Sequence, residues 1–112
     1  MTGRDFQPSS YAALWRKQGG QICSGELELG DESLRLDGTR RDGRPSTCEI
    51  PYRTIAGVHL GRAATERIDG RTALVVELPH GQTLLITSPV GLGMIHEMAD
   101  RLDARLSSGL RV

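Results

Sequence analysis

The sequence predicts a mainly β fold of the α+β kind: an antiparallel sheet or partly open barrel of six or seven strands, capped by one C-terminal amphipathic helix. Three observations over the 112 residues carry this. From residue 21 onward apolar residues recur at every second position between turns rich in Gly, Pro and Asp, the rhythm of half-buried strands. The connections are turns, too short for the crossovers that parallel pairs need. Near Ser88 the period changes to three and four, the stripe of a helix with one dry side.

Residues 1–20 form an N-terminal segment distinct from the domain at 21–109. Ser9 or Ser10 suits the cap of a short docking helix through Tyr11, Ala12, Ala13, Leu14, Trp15 and Arg16, ended by Gly19 and Gly20. Tyr11, Leu14 and Trp15 would be its docking face, with the single tryptophan tying the segment down.

Cys23, Gly25, Leu27 and Leu29 alternate with Ser24, Glu26 and Glu28 in a first strand. Gly30, Asp31 and Glu32 turn the chain, and Leu34 and Leu36 continue the alternation to close a hairpin. Gly38 to Ser46 is a polar loop or the splayed end of a second hairpin. Cys48, Ile50 and Tyr52 mark a third strand, which Pro51 places at a strand end or a sheet edge. A turn at Tyr52 to Thr54 precedes a fourth strand through Ile55, Val58 and Leu60. A short extra strand fits near Glu66 to Ile68, before the Asp69-Gly70 turn. Thr72 to Leu78, with Leu74, Val75, Val76 and Leu78, and Gln82 to Thr87 flank the turn at Pro79, His80 and Gly81. Their long apolar runs imply burial on more than one side. Ser88 and Pro89 offer an N-cap and first helical residue, although Gly91 and Gly93 can delay the start to Gly93. Met94 or Ile95, Met98, Leu102 and Leu106 form the stripe, and Ser107, Ser108 and Gly109 end it.

Charge excludes some functions. Lys and Arg number 14 against 14 Asp and Glu, giving no net charge at pH 7 and no global footprint for nucleic acid or an anionic membrane. Lys17 is the only lysine, a bias that with 14 glycines fits a GC-rich bacterial source. No apolar run approaches the roughly 18–20 residues of a membrane span. The first residues lack a basic start followed by an apolar stretch, so a cytoplasmic protein is expected. Cys23 and Cys48 lie on strands two apart, about 9.5 Å in a flat sheet, so both thiols are expected free.

Strands first, lidding helix last, over residues 21–107: this resembles the pleckstrin-homology-like superfold, especially its small bacterial members. The residues carrying the likeness are Leu27, Leu29, Leu34 and Leu36, the pattern Ile50, Pro51, Tyr52, Ile55 and Val58, and the Leu84 to Thr87 strand leading into the helix. The resemblance implies a binding or scaffolding module, since that fold is rarely catalytic. Its lipid-binding members carry basic residues in and beside the first hairpin turn. Here Gly30, Asp31 and Glu32 occupy that turn, with Glu26 and Glu28 beside it, and carboxylates repel phosphate.

The remaining constellations are sparse. Arg40, Arg41 and Arg44 share one loop and Arg62, Arg67 and Arg71 another. Their planar forks suit phosphates and carboxylates, and they form an anion site if the two loops lie at the same end. The interleaved Asp42, Glu66 and Asp69 favour an ordinary solvated surface instead. Arg40 and Arg44 have the Arg-x-x-x-Arg spacing of PilZ domains, but the Asp31 and Ser33 that would complete the motif precede them. Gly91-x-Gly93 lacks the third glycine and following strand of a dinucleotide fold. His59, His80 and His96 sit in separate elements without metal-ligand spacing, and no nucleophile elbow is present. No catalytic residue, metal or cofactor is expected. The leading expectation is a non-catalytic module that pairs with itself or another protein through an open sheet edge. The alternative is a binder of an acidic lipid head group or nucleotide, touching a membrane at most peripherally.

Overall fold

The computed structural model describes residues 9–110. Among these residues nine strands precede one α-helix: β1 (Ser9–Lys17), β2 (Cys23–Leu29), β3 (Ser33–Arg40), β4 (Pro45–Pro51), β5 (Gly57–Leu60), β6 (Arg67–Ile68), β7 (Arg71–Thr72), β8 (Leu74–Glu77), β9 (Thr83–Thr87) and α1 (Leu92–Leu110). Seven strands form one sheet in the order β4-β3-β2-β1-β9-β8-β5, and β6 and β7 form a separate hairpin. Every pairing is antiparallel. The edge strands β4 and β5 do not pair with each other, so the sheet stays open. The expected fold class is thus observed.

The alternation within each strand decides what the sheet buries. Leu27 and Leu29 of β2, Leu34 and Leu36 of β3, and Val76, Leu84 and Ile86 of the last hairpin share an inner core with Trp15. The helix closes that core with Ile95, Met98 and Leu102, three of the residues its stripe placed there. Burying each such side chain stabilises the fold by about 1.5–3 kcal/mol before entropy is counted. A smaller outer core holds Ile68, Ala73, Val75 and Leu85, with Leu14 and Ile22 against it. It forms because the β6–β7 hairpin lies on the back of the sheet and plugs Ile68 into it. Hence β8 and β9 are dry on both sides, as their continuous apolar runs require.

The N-terminal expectation needs correction. Residues 1–8 lie outside the described part, but Ser9–Lys17 is a strand and not a docking helix. It is integral to the domain that begins, on the sequence reading, at residue 21. Ala12, Ala13 and Leu14 favour a helix locally, yet β1 is held along both edges. It pairs from Ser9↔Leu29 to Trp15↔Cys23 on one side and from Leu14↔Thr87 to Lys17↔Leu84 on the other. Tertiary hydrogen bonding and two-sided burial outweigh a propensity of a few tenths of a kcal/mol per residue. As a consequence Tyr11 and Trp15 face the inner core while Leu14 turns to the outer one.

The helix also starts and ends later than Pro89 and Ser107. Ser88 Oγ accepts the Val90 N–H at 2.9 Å and makes a local turn instead of a cap. Gly91, at φ 156°, gives the first helical carbonyl, accepting from the N–H groups of Met94 and Ile95. The helix backbone continues through Ser107 to Leu110.

Tyr52, in the turn after β4, ties this turn to the β2–β3 turn: its hydroxyl donates to the Gly30 carbonyl at 2.8 Å. Burial pushes its hydroxyl up to about 12 from the ordinary 10, with Arg105 opposing and Asp31 adding to the shift. The folded chain therefore keeps this proton after the unfolded chain has lost it. The stabilisation is complete below pH about 10 and disappears as pH rises toward 12. Tyr52→Phe is expected to flatten the alkaline fall in stability measured by urea unfolding across alkaline buffers. An unchanged slope would show that this hydroxyl does not set it.

Candidate functional site

The site is built where β1 turns into β2. Strand alternation sends Arg16 to the outer face, and Trp15 to the inner one. The turn that follows is tied by Gly20 N–H to the Lys17 carbonyl at 2.8 Å and by Gln18 N–H to the Thr83 carbonyl at 3.1 Å. Gly19, at φ 77°, supplies the left-handed residue this tight reversal needs.

Two adjoining cavities of about 470 and 520 Å³ open on the outer face and share Arg16 and Gly20 in their walls. The Arg16 guanidinium donates to two main-chain carbonyls, Thr65 at 3.4 Å and Arg67 at 3.5 Å. Among the described residues it has no carboxylate partner. Neither does Lys17. A third cavity, about 210 Å³, lies beside the same turn, with Trp15, Lys17, Cys23, Arg40 and Cys48 in its wall. Both thiols are free, as expected from their strands.

The β3–β4 turn reaches the same end. Arg40 N–H bonds the Arg44 carbonyl at 2.8 Å and Gly43 takes φ 89°, the three-residue loop closed by a left-handed glycine. Asp42 organises it: the carboxylate accepts the Arg44 N–H at 3.0 Å and meets the Arg40 guanidinium at 2.6 Å. The hydrogen bond from Arg40, followed by that from the Arg44 main chain, lowers the Asp42 carboxyl from its ordinary range and raises Arg40 in turn. Arg41 projects past this turn to line the larger cavity.

The segment 62–72 closes the far side. Glu66 accepts the N–H groups of Ala63 at 3.1 Å and Arg62 at 2.8 Å, and these two bonds hold its carboxyl below the usual range. Asp69 and Gly70, at φ 51° and 76°, form the two-residue turn of β6–β7 in the type I′ manner favoured by Asp-Gly. From that turn Asp69 meets the Arg41 guanidinium at 2.6 Å.

The two arginine loops therefore do converge, through Arg41 and Asp69. Arg41 lines the second cavity and Arg40 only the third, while Arg44, Arg62 and Arg71 line none of these three. The arginine clusters of the sequence do not include Arg16, nor do they point to Lys17. Their signal was there, in the two-residue spacing of Tyr11, Ala13 and Trp15 followed by Gly19-Gly20. The first hairpin turn is accordingly the β1–β2 turn and not Gly30 to Glu32. Among the described residues no three side chains are grouped to hold a metal ion. Nor is any described helix long and apolar enough to cross a membrane.

With this geometry in hand, comparison with known proteins adds the fold alone. No family model matches the chain. No curated protein matches it either. It is similar to the solved C-terminal domain of an unknown protein from Leishmania infantum, at 15% identity and a TM-score of 0.66, over 88% of this chain and 81% of that one.

Proposed function

We propose that this chain is a non-catalytic binding module that takes up a phosphate-bearing anion at the β1–β2 end of its sheet. One observation carries the reading: Arg16 stands between two adjoining cavities with, among the described residues, only carbonyl partners. An arginine fork so placed keeps donor capacity for a phosphate. Arg41 adds positive charge in the wall of one of these cavities, Lys17 lines the third cavity across the same turn, and the Gly19-Gly20 backbone lets a ligand approach closely. The pleckstrin-homology-like resemblance belongs to the same proposal, as analogy. Two antiparallel meanders joined through β1 and β9 and lidded by the terminal helix support it. The acidic turn that spoke against phosphate is the second hairpin turn of the chain.

Self-assembly through an open edge has weaker support. The edge strand β4 carries proline at both ends, Pro45 and Pro51, and the other edge, β5, is only Gly57–Leu60. Prolines and shortness are ways of blunting an edge against further pairing.

The test uses two sources of the same chemistry. Vesicles of phosphatidylcholine doped with a phosphomonoester lipid form one arm, and a nucleoside triphosphate in solution the other. The parent protein is expected to bind in one arm, more weakly as ionic strength rises. Arg16→Glu with Arg41→Glu is expected to weaken binding about tenfold or more, since each reversal replaces attraction by repulsion at a charge-assisted contact. A parent protein that binds in neither arm overturns the reading.

A further inference from the structure

We infer that Asp69 is a built-in competitor for this site, occupying Arg41 until an incoming anion displaces it; the inference rests on the anion-binding reading above. The pair is short, 2.6 Å, and joins residues 28 apart in sequence. It links two turns that no strand pairing connects: the β3–β4 turn and the β6–β7 turn.

The local structure positions the carboxylate. Asp69 adopts φ 51° beside Gly70 at φ 76°, so the two-residue turn fixes the direction in which its side chain leaves the chain. Ile68, fully buried in the outer core, anchors the hairpin to the sheet. The aspartate is thus presented to Arg41 by a fixed support. The Arg67 guanidinium donates to the Gly70 carbonyl at 3.3 Å and braces the same turn. Removing the Asp69 charge leaves Arg41 without this carboxylate.

The pair is also built to open. Both side chains are about half exposed, 60% for Arg41 and 45% for Asp69. An ion pair in such a place is weakly held, because water screens it and both side chains lose freedom to form it. A phosphate brings more charge and three acceptor oxygens where the aspartate brings one charge and two. It can therefore take the Arg41 fork from Asp69. Contrast Asp42: its carboxylate also holds the Arg44 main-chain N–H, so its place is inside the turn. Asp69 makes no such main-chain bond among the described residues and is the carboxylate free to leave. The consequence is a raised threshold: a monoanion exchanges like for like, and a polyanion gains.

The experiment is the two-arm binding assay with Asp69→Asn. Asparagine tolerates the left-handed backbone and keeps the turn. Asp69→Gly, which also suits φ 51°, provides a second route if the first variant loses its fold, as judged by circular dichroism. Both variants are expected to bind the phosphate probe about two- to fivefold more tightly, the range an exposed ion pair supports. The gain should vanish when Arg41→Ala is already present, as a coupled pair demands. Parent binding with no gain, or with a loss, in folded Asp69 variants overturns the inference and leaves the anion-binding reading intact. No binding in either arm by parent and variants alike overturns both.

Discussion

Gly38→Ala is expected to cost about 3 kcal/mol of stability, the upper end of what overpacking does. Gly38 of β3 pairs with Gly25 of β2. A methyl group on Gly38 would lie 2.7 Å from the Ser24 carbonyl carbon and 2.8 Å from the Gly25 Cα, and one on Gly25 only 2.5 Å from the Gly38 Cα. These neighbours are main chain, so no side chain can swing aside. The need here is for space and not for an unusual φ. Paired glycines inside strands mark a tight bend where two backbones nearly touch. Beyond this point β3 runs on to Arg40 and the turn that carries Arg41. On the anion-binding proposal, spreading the strands would therefore weaken uptake as well as stability. Urea unfolding measures the first effect. A change under about 0.5 kcal/mol, the range of an ordinary surface substitution, would show that the strands part there without strain.

The largest loss is expected from Trp15→Ala, about 3–5 kcal/mol, the usual cost of emptying a buried tryptophan site. Trp15 is only 2% exposed and pairs with Cys23 on one side and Ile86 on the other. It stands on β1, the strand that joins the two halves of the sheet. The ring is the largest in the inner core, and the sheet backbone around it cannot collapse to fill the void. Chemical unfolding followed by circular dichroism is the suitable measure, because the variant has no tryptophan fluorescence. Retention of parental stability would mean that the Trp15 ring contributes little to holding β1 between β2 and β9.

Much of the fold was legible because its signals are local. Leu27, Leu29, Leu34 and Leu36 alternate across a short turn, and a period of two has only one reading when one face must be dry. Ile95, Met98 and Leu102 mark the helix equally well. The double apolar run of β8 and β9 correctly announced a second layer, though not that Ile68 would supply it. β1 reads as a helix in the sequence because Ala12, Ala13 and Leu14 fit either period, and a nine-residue stretch holds too few repeats to separate them.

The candidate site was legible only in part. Arg40 and Arg41 stand out as members of a cluster; Arg40 lines only the third cavity, and Arg41 lines one beside Arg16. Arg44, Arg62 and Arg71 stand out equally and line none of the three. A run of arginines in a sequence is a statement about a loop. Which of them share a space depends on which turns meet. Arg16 gains its place in the site only because β1 is a strand.

By itself, then, the order of residues determined the antiparallel β body, its helical lid and the two free thiols. Each of these follows from side-chain rhythm or strand separation over a few neighbouring positions. Only the tertiary structure decided that β1 is a strand, that the β6–β7 hairpin backs the sheet, and that Asp69 meets Arg41. Those three outcomes depend on hydrogen bonds and burial supplied by segments distant in the chain, and no local pattern encodes them.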